Sequence, residues 1–88
     1  MKLYFATQNG FTMKGFAEAL LPLISIKEVN EVTCQLEAYF QGVEITLNNH
    51  MRPDITISLI PQKLNLALEE MEQTLEQPFR HAISQIKP

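Results

Sequence analysis

The stretch VTCQLEAYFQGVEITLNNHMRPDITISLI, residues 32–60, decides the architecture. Val32, Cys34, Leu36, Ala38 and Phe40 alternate with Thr33, Gln35, Glu37, Tyr39 and Gln41. Val43, Ile45 and Leu47 alternate with Glu44, Thr46 and Asn48, and Ile55, Ile57 and Leu59 with Thr56 and Ser58. A period of two belongs to strands with one buried face. Gln41-Gly42 supplies a two-residue hairpin turn that sets Phe40 opposite Val43, Ala38 opposite Ile45 and Leu36 opposite Leu47. The longer polar link NNHMRPD, residues 48–54, lets Leu47 face Ile55. The sequence therefore predicts a three-stranded antiparallel meander.

Upstream, KLYFAT (residues 2–7) reads as a short strand, and Gln8-Asn9-Gly10 as a turn. Thr12 suits an N-cap, and Met13, Phe16, Ala17, Leu20 and Leu21 follow at helical spacing. Gly15 weakens that helix by about 1 kcal/mol relative to alanine, and Pro22 stops it. Residues 25–31 (SIKEVNE) read as a connector. Beyond Pro61, which suits a first helical turn, Leu64, Leu68, Met71 and Leu75 mark an amphipathic helix. Pro78 kinks or breaks it, and Phe79, Ala82, Ile83 and Ile86 continue an apolar stripe.

The expected fold is α+β in the order β-α-β-β-β-α. It has a four-stranded, largely antiparallel sheet with two helices packed on one face. The expected core is Cys34, Leu36, Phe40, Ile45, Leu47, Ile57 and Leu59, covered by Phe16, Leu20, Leu68, Met71 and Leu75. Eighty-eight residues, 1–88, make one small domain. Hydrophobic content of 45% and charged content of 19% exclude a disordered tail.

The apolar run at residues 19–24, interrupted by Pro22, is far below the roughly 18 residues of a membrane span. Residues 3–6 are too short for a signal-peptide core, so a cytoplasmic location is expected. The lone cysteine, Cys34, reads as a small core hydrophobe. Net charge is −3, and the seven Lys and Arg are scattered, which disfavours nucleic acid as a partner.

One segment suggests ligand chemistry. Residues 3–12 (LYFATQNGFT) run from an apolar strand through a Thr/Asn/Gly turn to a helix N-terminus, where backbone amides can face an anion. Over residues 3–20 this resembles the phosphate-binding loop of flavodoxin-like domains, and a similar opening occurs in nucleotide pyrophosphatases. The resemblance implies a phosphate, nucleotide or flavin held by Thr7, Asn9, Gly10 and Thr12, in a binding domain or small enzyme. Asn9 stands where that loop commonly has a hydroxyl, and the chain lacks the family's alternating β/α units. The structural reading of the same residues is a capped turn with no cofactor.

His50, Arg52 and Asp54 share a loop and could supply an acid, a base and an anion clamp, but no nucleophile accompanies them. His50, His81 and Cys34 form no readable metal set. Glu69, Glu70, Glu72 and Glu76 lie within eight residues. They read as a solvated helix face with a Glu76–Arg80 pair, or as an acidic surface for a basic partner.

The solvent face of the meander carries Gln35, Tyr39, Gln41, Thr46, Thr56, Ser58 and Ile60, with Glu37 and Glu44 as its charges. Such a face is dehydrated at modest cost. The sequence therefore points to a small non-enzymatic protein-binding module, such as an adaptor, inhibitor or assembly factor, and to a homodimer. Its expected contact residues are Gln35, Glu37, Tyr39, Gln41, Thr46, Glu69, Glu72 and Glu76, with Tyr39 as the anchor.

Overall fold

A computed structural model describes residues 2–5, 7–49 and 62–86 of the chain. The elements are β1 (Lys2–Phe5), α1 (Met13–Leu20), β2 (Ser25–Asn30), β3 (Gln35–Phe40), β4 (Val43–Asn49), α2 (Gln62–Glu72) and α3 (Gln77–Ile86). The fold is α+β. Strands β2, β3 and β4 form an antiparallel meander, and β1 lies parallel to β4, giving the order β1-β4-β3-β2.

The β3–β4 hairpin has the register its apolar pattern demands. Phe40 faces Val43, Ala38 faces Ile45 and Leu36 faces Leu47. Gln41 and Gly42 both adopt positive φ, 49° and 82°, the pairing whose twist suits a two-residue hairpin.

The rest of the meander differs from the sequence expectation. Its outer strand is β2, in the segment read as a connector. A bulge sets both Lys27 and Glu28 against Glu37, so Ile26 and Val29 share a face although they are three residues apart. That spacing hides the strand from a search for period two. The first meander strand also starts later than expected. Residues 31–34 form a turn in which the Asn30 side-chain oxygen accepts from the Val32 and Thr33 amides. Val32 is 93% exposed. Cys34, at φ 56°, is half-buried in the turn and does not belong to the strand's core face. The expected strand at Ile55, Ile57 and Leu59, the outward Thr56, Ser58 and Ile60, and Pro61 lie outside the described residues.

All three helices contribute to a single core. Phe16 and Leu20 of α1, Leu64 and Leu68 of α2, and Ala82 and Ile83 of α3 are buried with Leu3, Phe5, Leu36, Phe40, Ile45 and Leu47 of the sheet. Met71 is only partly buried. Of the kink or break expected at Pro78, the structure shows a break, and the apolar stripe beyond it forms a helix of its own. The α2 helix ends at Glu72, and Pro78 sits in the first turn of α3, where its missing amide costs nothing.

A phenylalanine cluster ties the N-terminal turn to both ends of the chain. Phe11 lies 5.3 Å from Phe5, 5.2 Å from Phe16 and 5.6 Å from Phe79, centroid to centroid. Phe16 and Phe79 stack at 5.9 Å. Gly15 makes that stack possible. A Cβ there would lie 2.9 Å from Phe79 Cζ and 2.9 Å from Thr12 Oγ1. The glycine is thus a requirement of close approach, beyond its cost to the helix.

Candidate functional site

The expected contact residues divide between two layers. Strand alternation places Gln35, Glu37 and Tyr39 of β3 and Thr46 of β4 on the sheet face turned away from the helices. Gln41 occupies the hairpin turn at one end. Glu69 and Glu72 lie on α2, in the helical layer on the other side, and Glu76 precedes α3. The structure therefore brings together the sheet residues and sets the acidic residues apart from them.

Tyr39 is 38% exposed and is flanked by Ser25 on β2 and Glu44 on β4. Among the described residues, no helix covers this face. The face is more charged than the sequence suggested, because β2 adds Lys27 and Glu28 to it. Lys27 Nζ lies 3.8 Å from both Glu37 and Glu44. Lys27 and the carboxylates Glu28, Glu37 and Glu44 leave the patch net negative. Asn48, opposite Gln35 and in register with Tyr4, is only 5% exposed, and its Nδ2 has no hydrogen-bond partner among the described residues.

The acidic residues of the C-terminal part have separate settings. Glu69 and Glu70 are exposed on α2, and Glu72 is half-buried. The expected Glu76–Arg80 pair is replaced by another contact. The Arg80 guanidinium donates to the carbonyls of Glu72 (3.2 Å), Gln73 (3.5 Å) and Leu75 (3.1 Å). A cation beside the carbonyls at and just past a helix C-terminus complements the helix dipole.

At the N-terminal turn, Thr7, Gln8 and Asn9 border an open hollow of about 530 Å³. Thr12 is the N-cap of α1, its hydroxyl accepting from the Gly15 amide at 3.0 Å. Two further amides of the α1 N-terminus are also engaged. The Glu31 carboxylate accepts from Met13 N–H at 3.2 Å and Lys14 N–H at 2.7 Å. Gly10, at φ 90°, closes the turn, with Phe11 N–H donating to the Gln8 carbonyl. Asn49 Nδ2 reaches Thr7 Oγ1 at 3.5 Å.

His50, Arg52 and Asp54 lie outside the described residues. His81 is half-buried on α3. Among the described residues, no three His, Cys, Asp or Glu side chains gather as a metal site, and no helix is long and apolar enough to cross a membrane. No family model, curated protein or solved structure matches the chain.

Sequence reasoning missed Lys27, Glu28 and Glu31. The first two belong to a strand masked by its bulge. Glu31 acts on a helix 17 and 18 residues away, a distance with no local signal.

Proposed function

We propose that the chain is a small non-enzymatic binding module that docks onto a basic protein through the helix-free face of its sheet. The observation that carries this reading is Tyr39, 38% exposed on that face between Ser25 and Glu44, with the carboxylates Glu28, Glu37 and Glu44 outnumbering Lys27 on the same face. A large ring with few rotors offers contact area at low entropic cost. The surrounding carboxylates suit a rim that steers a cationic partner. An adaptor, inhibitor or regulatory role in the cytoplasm fits this chemistry. Glu69 and Glu70 on α2 belong to the other layer and would serve as a second, weaker electrostatic contact.

The alternative is a phosphate-, nucleotide- or flavin-binding domain, or a small enzyme, using Thr7, Asn9, Gly10 and Thr12. The hollow beside Thr7 supports it. Against it stands Glu31, whose carboxylate already holds two amides of the α1 N-terminus.

The test is affinity capture from the native host, with identification by mass spectrometry, followed by titration of the captured protein. The wild-type chain is compared with a Glu37→Gln/Tyr39→Arg variant. The reading expects a basic protein retained by the wild type, lost by the variant, and bound more weakly as salt rises. Equal retention by both chains would contradict it. Saturable micromolar binding of phosphate, ATP or FMN would favour the alternative.

A further inference from the structure

Among the described residues β2 has a strand neighbour, β3, on one side only, and its pattern is self-complementary. Its sequence is Ser25-Ile26-Lys27-Glu28-Val29-Asn30. The bulge against Glu37 turns Lys27 and Glu28 to the same, helix-free side. Ile26 and Val29 both point to the core side, where they are only partly buried. Along the strand the faces therefore run out, in, out, out, in, out. That order is the same in both directions about the midpoint between Lys27 and Glu28.

From this symmetry we propose that β2 is a self-pairing edge, and that a second copy of the chain adds antiparallel to it across a twofold axis at the Lys27–Glu28 bond. A strand of regular alternation could not use this register with the two sheets' faces aligned, because residues directly opposite must lie on the same side. The bulge removes that conflict. Ile26 then faces the partner's Val29, Lys27 the partner's Glu28, and Ser25 the partner's Asn30.

Each of these pairs occurs twice, as an isologous contact requires. Ile26 and Val29 complete their burial, and the two charge pairs sit at the axis. Shifting the register by one residue sets Lys27 against Lys27 or Glu28 against Glu28, and places apolar residues opposite charged ones. Charge and burial therefore select one register. A bulge and a lysine ordinarily blunt an edge against chance pairing. Here they also restrict the edge to one partner, an identical strand. Lys27 is free to join this contact, since its two ion pairs are long and its side chain is 46% exposed. An edge of six residues buries less than a standard interface, so the dimer is weak and forms at high concentration. This inference does not depend on the docking role of Tyr39.

The test is sedimentation equilibrium, with disulfide trapping in a Cys34→Ala background. The wild type is expected to shift from 10.1 kDa towards twice that mass as concentration rises. Glu28→Lys brings four lysines together at the axis and should weaken association by about tenfold or more. It leaves folding intact, since residue 28 is exposed and faces Glu37 across the strands. A mixture of Lys27→Cys chains with Glu28→Cys chains should oxidise to a heterodimer faster than either chain forms a homodimer. A monomer at every concentration, or equal cross-linking in the mixture and the separate chains, would overturn the proposal.

Discussion

Glu31 does for α1 what a bound anion would do. Its two oxygens take the Met13 and Lys14 amides, while Thr12 takes that of Gly15. A carboxylate at this end also meets the positive pole of the helix dipole. Glu31→Ala should therefore lower stability by about 1–2 kcal/mol, read from the urea midpoint. An unchanged midpoint would mean that water replaces the carboxylate at no cost.

Gly15 sets two effects against each other. Alanine gains about 1 kcal/mol in helix propensity. It also drives a methyl group into Phe79 and the Thr12 hydroxyl, each 2.9 Å away, and overpacking of this kind costs about 1–3 kcal/mol. Since the phenyl ring is held by Phe11 and Phe16, the steric cost should prevail and Gly15→Ala should destabilise the protein. Stabilisation on thermal unfolding would show that Phe79 moves aside freely. The Thr12 cap was legible because a cap is local. The roles of Glu31 and Gly15 were not, because each depends on a residue brought near only by the fold.

At the level of elements, local signals succeeded where the chain obeyed one period. The β3–β4 hairpin follows from two alternating runs about Gln41-Gly42, and α1 from a cap, an apolar stripe and Pro22. Strand β2 carries no such signal, because its bulge changes an alternation into a three-residue spacing. The period of two overextended β3 through Val32 and Cys34, because a turn of ordinary residues imitated the strand's pattern. Pro78 announced a break without revealing what secures it. Arg80 secures it by binding the carbonyls of Glu72, the last residue of α2, and of Gln73 and Leu75 just beyond it. Arg80→Met keeps the aliphatic stem and removes those bonds. It should cost about 1 kcal/mol and increase amide exchange in the last turn of α2. Arg80→Lys should restore only part of the loss, since an ammonium cannot span three carbonyls as a guanidinium does. Wild-type exchange in Arg80→Met would remove the cap from the account.

For the whole molecule, the arrangement of layers determines what is available for contact. The helices and the inward faces of the strands share one core, and Tyr39, on the opposite sheet face, is not among its described members. The sequence located Tyr39 on that face from alternation alone. It could not show that β2 would add charge beside it.

If this face serves binding and not stability, Tyr39→Ala separates the two. The variant, its folding followed by urea denaturation, is titrated against the basic protein captured by the wild type. The account predicts an unfolding free energy within about 0.5 kcal/mol of wild type, the usual range for surface changes. It also predicts an affinity weakened by about thirtyfold, the loss of a 2 kcal/mol anchor. Undiminished affinity, together with a stability loss of the 3–5 kcal/mol order seen for core aromatics, would place Tyr39 in the core and contradict the account.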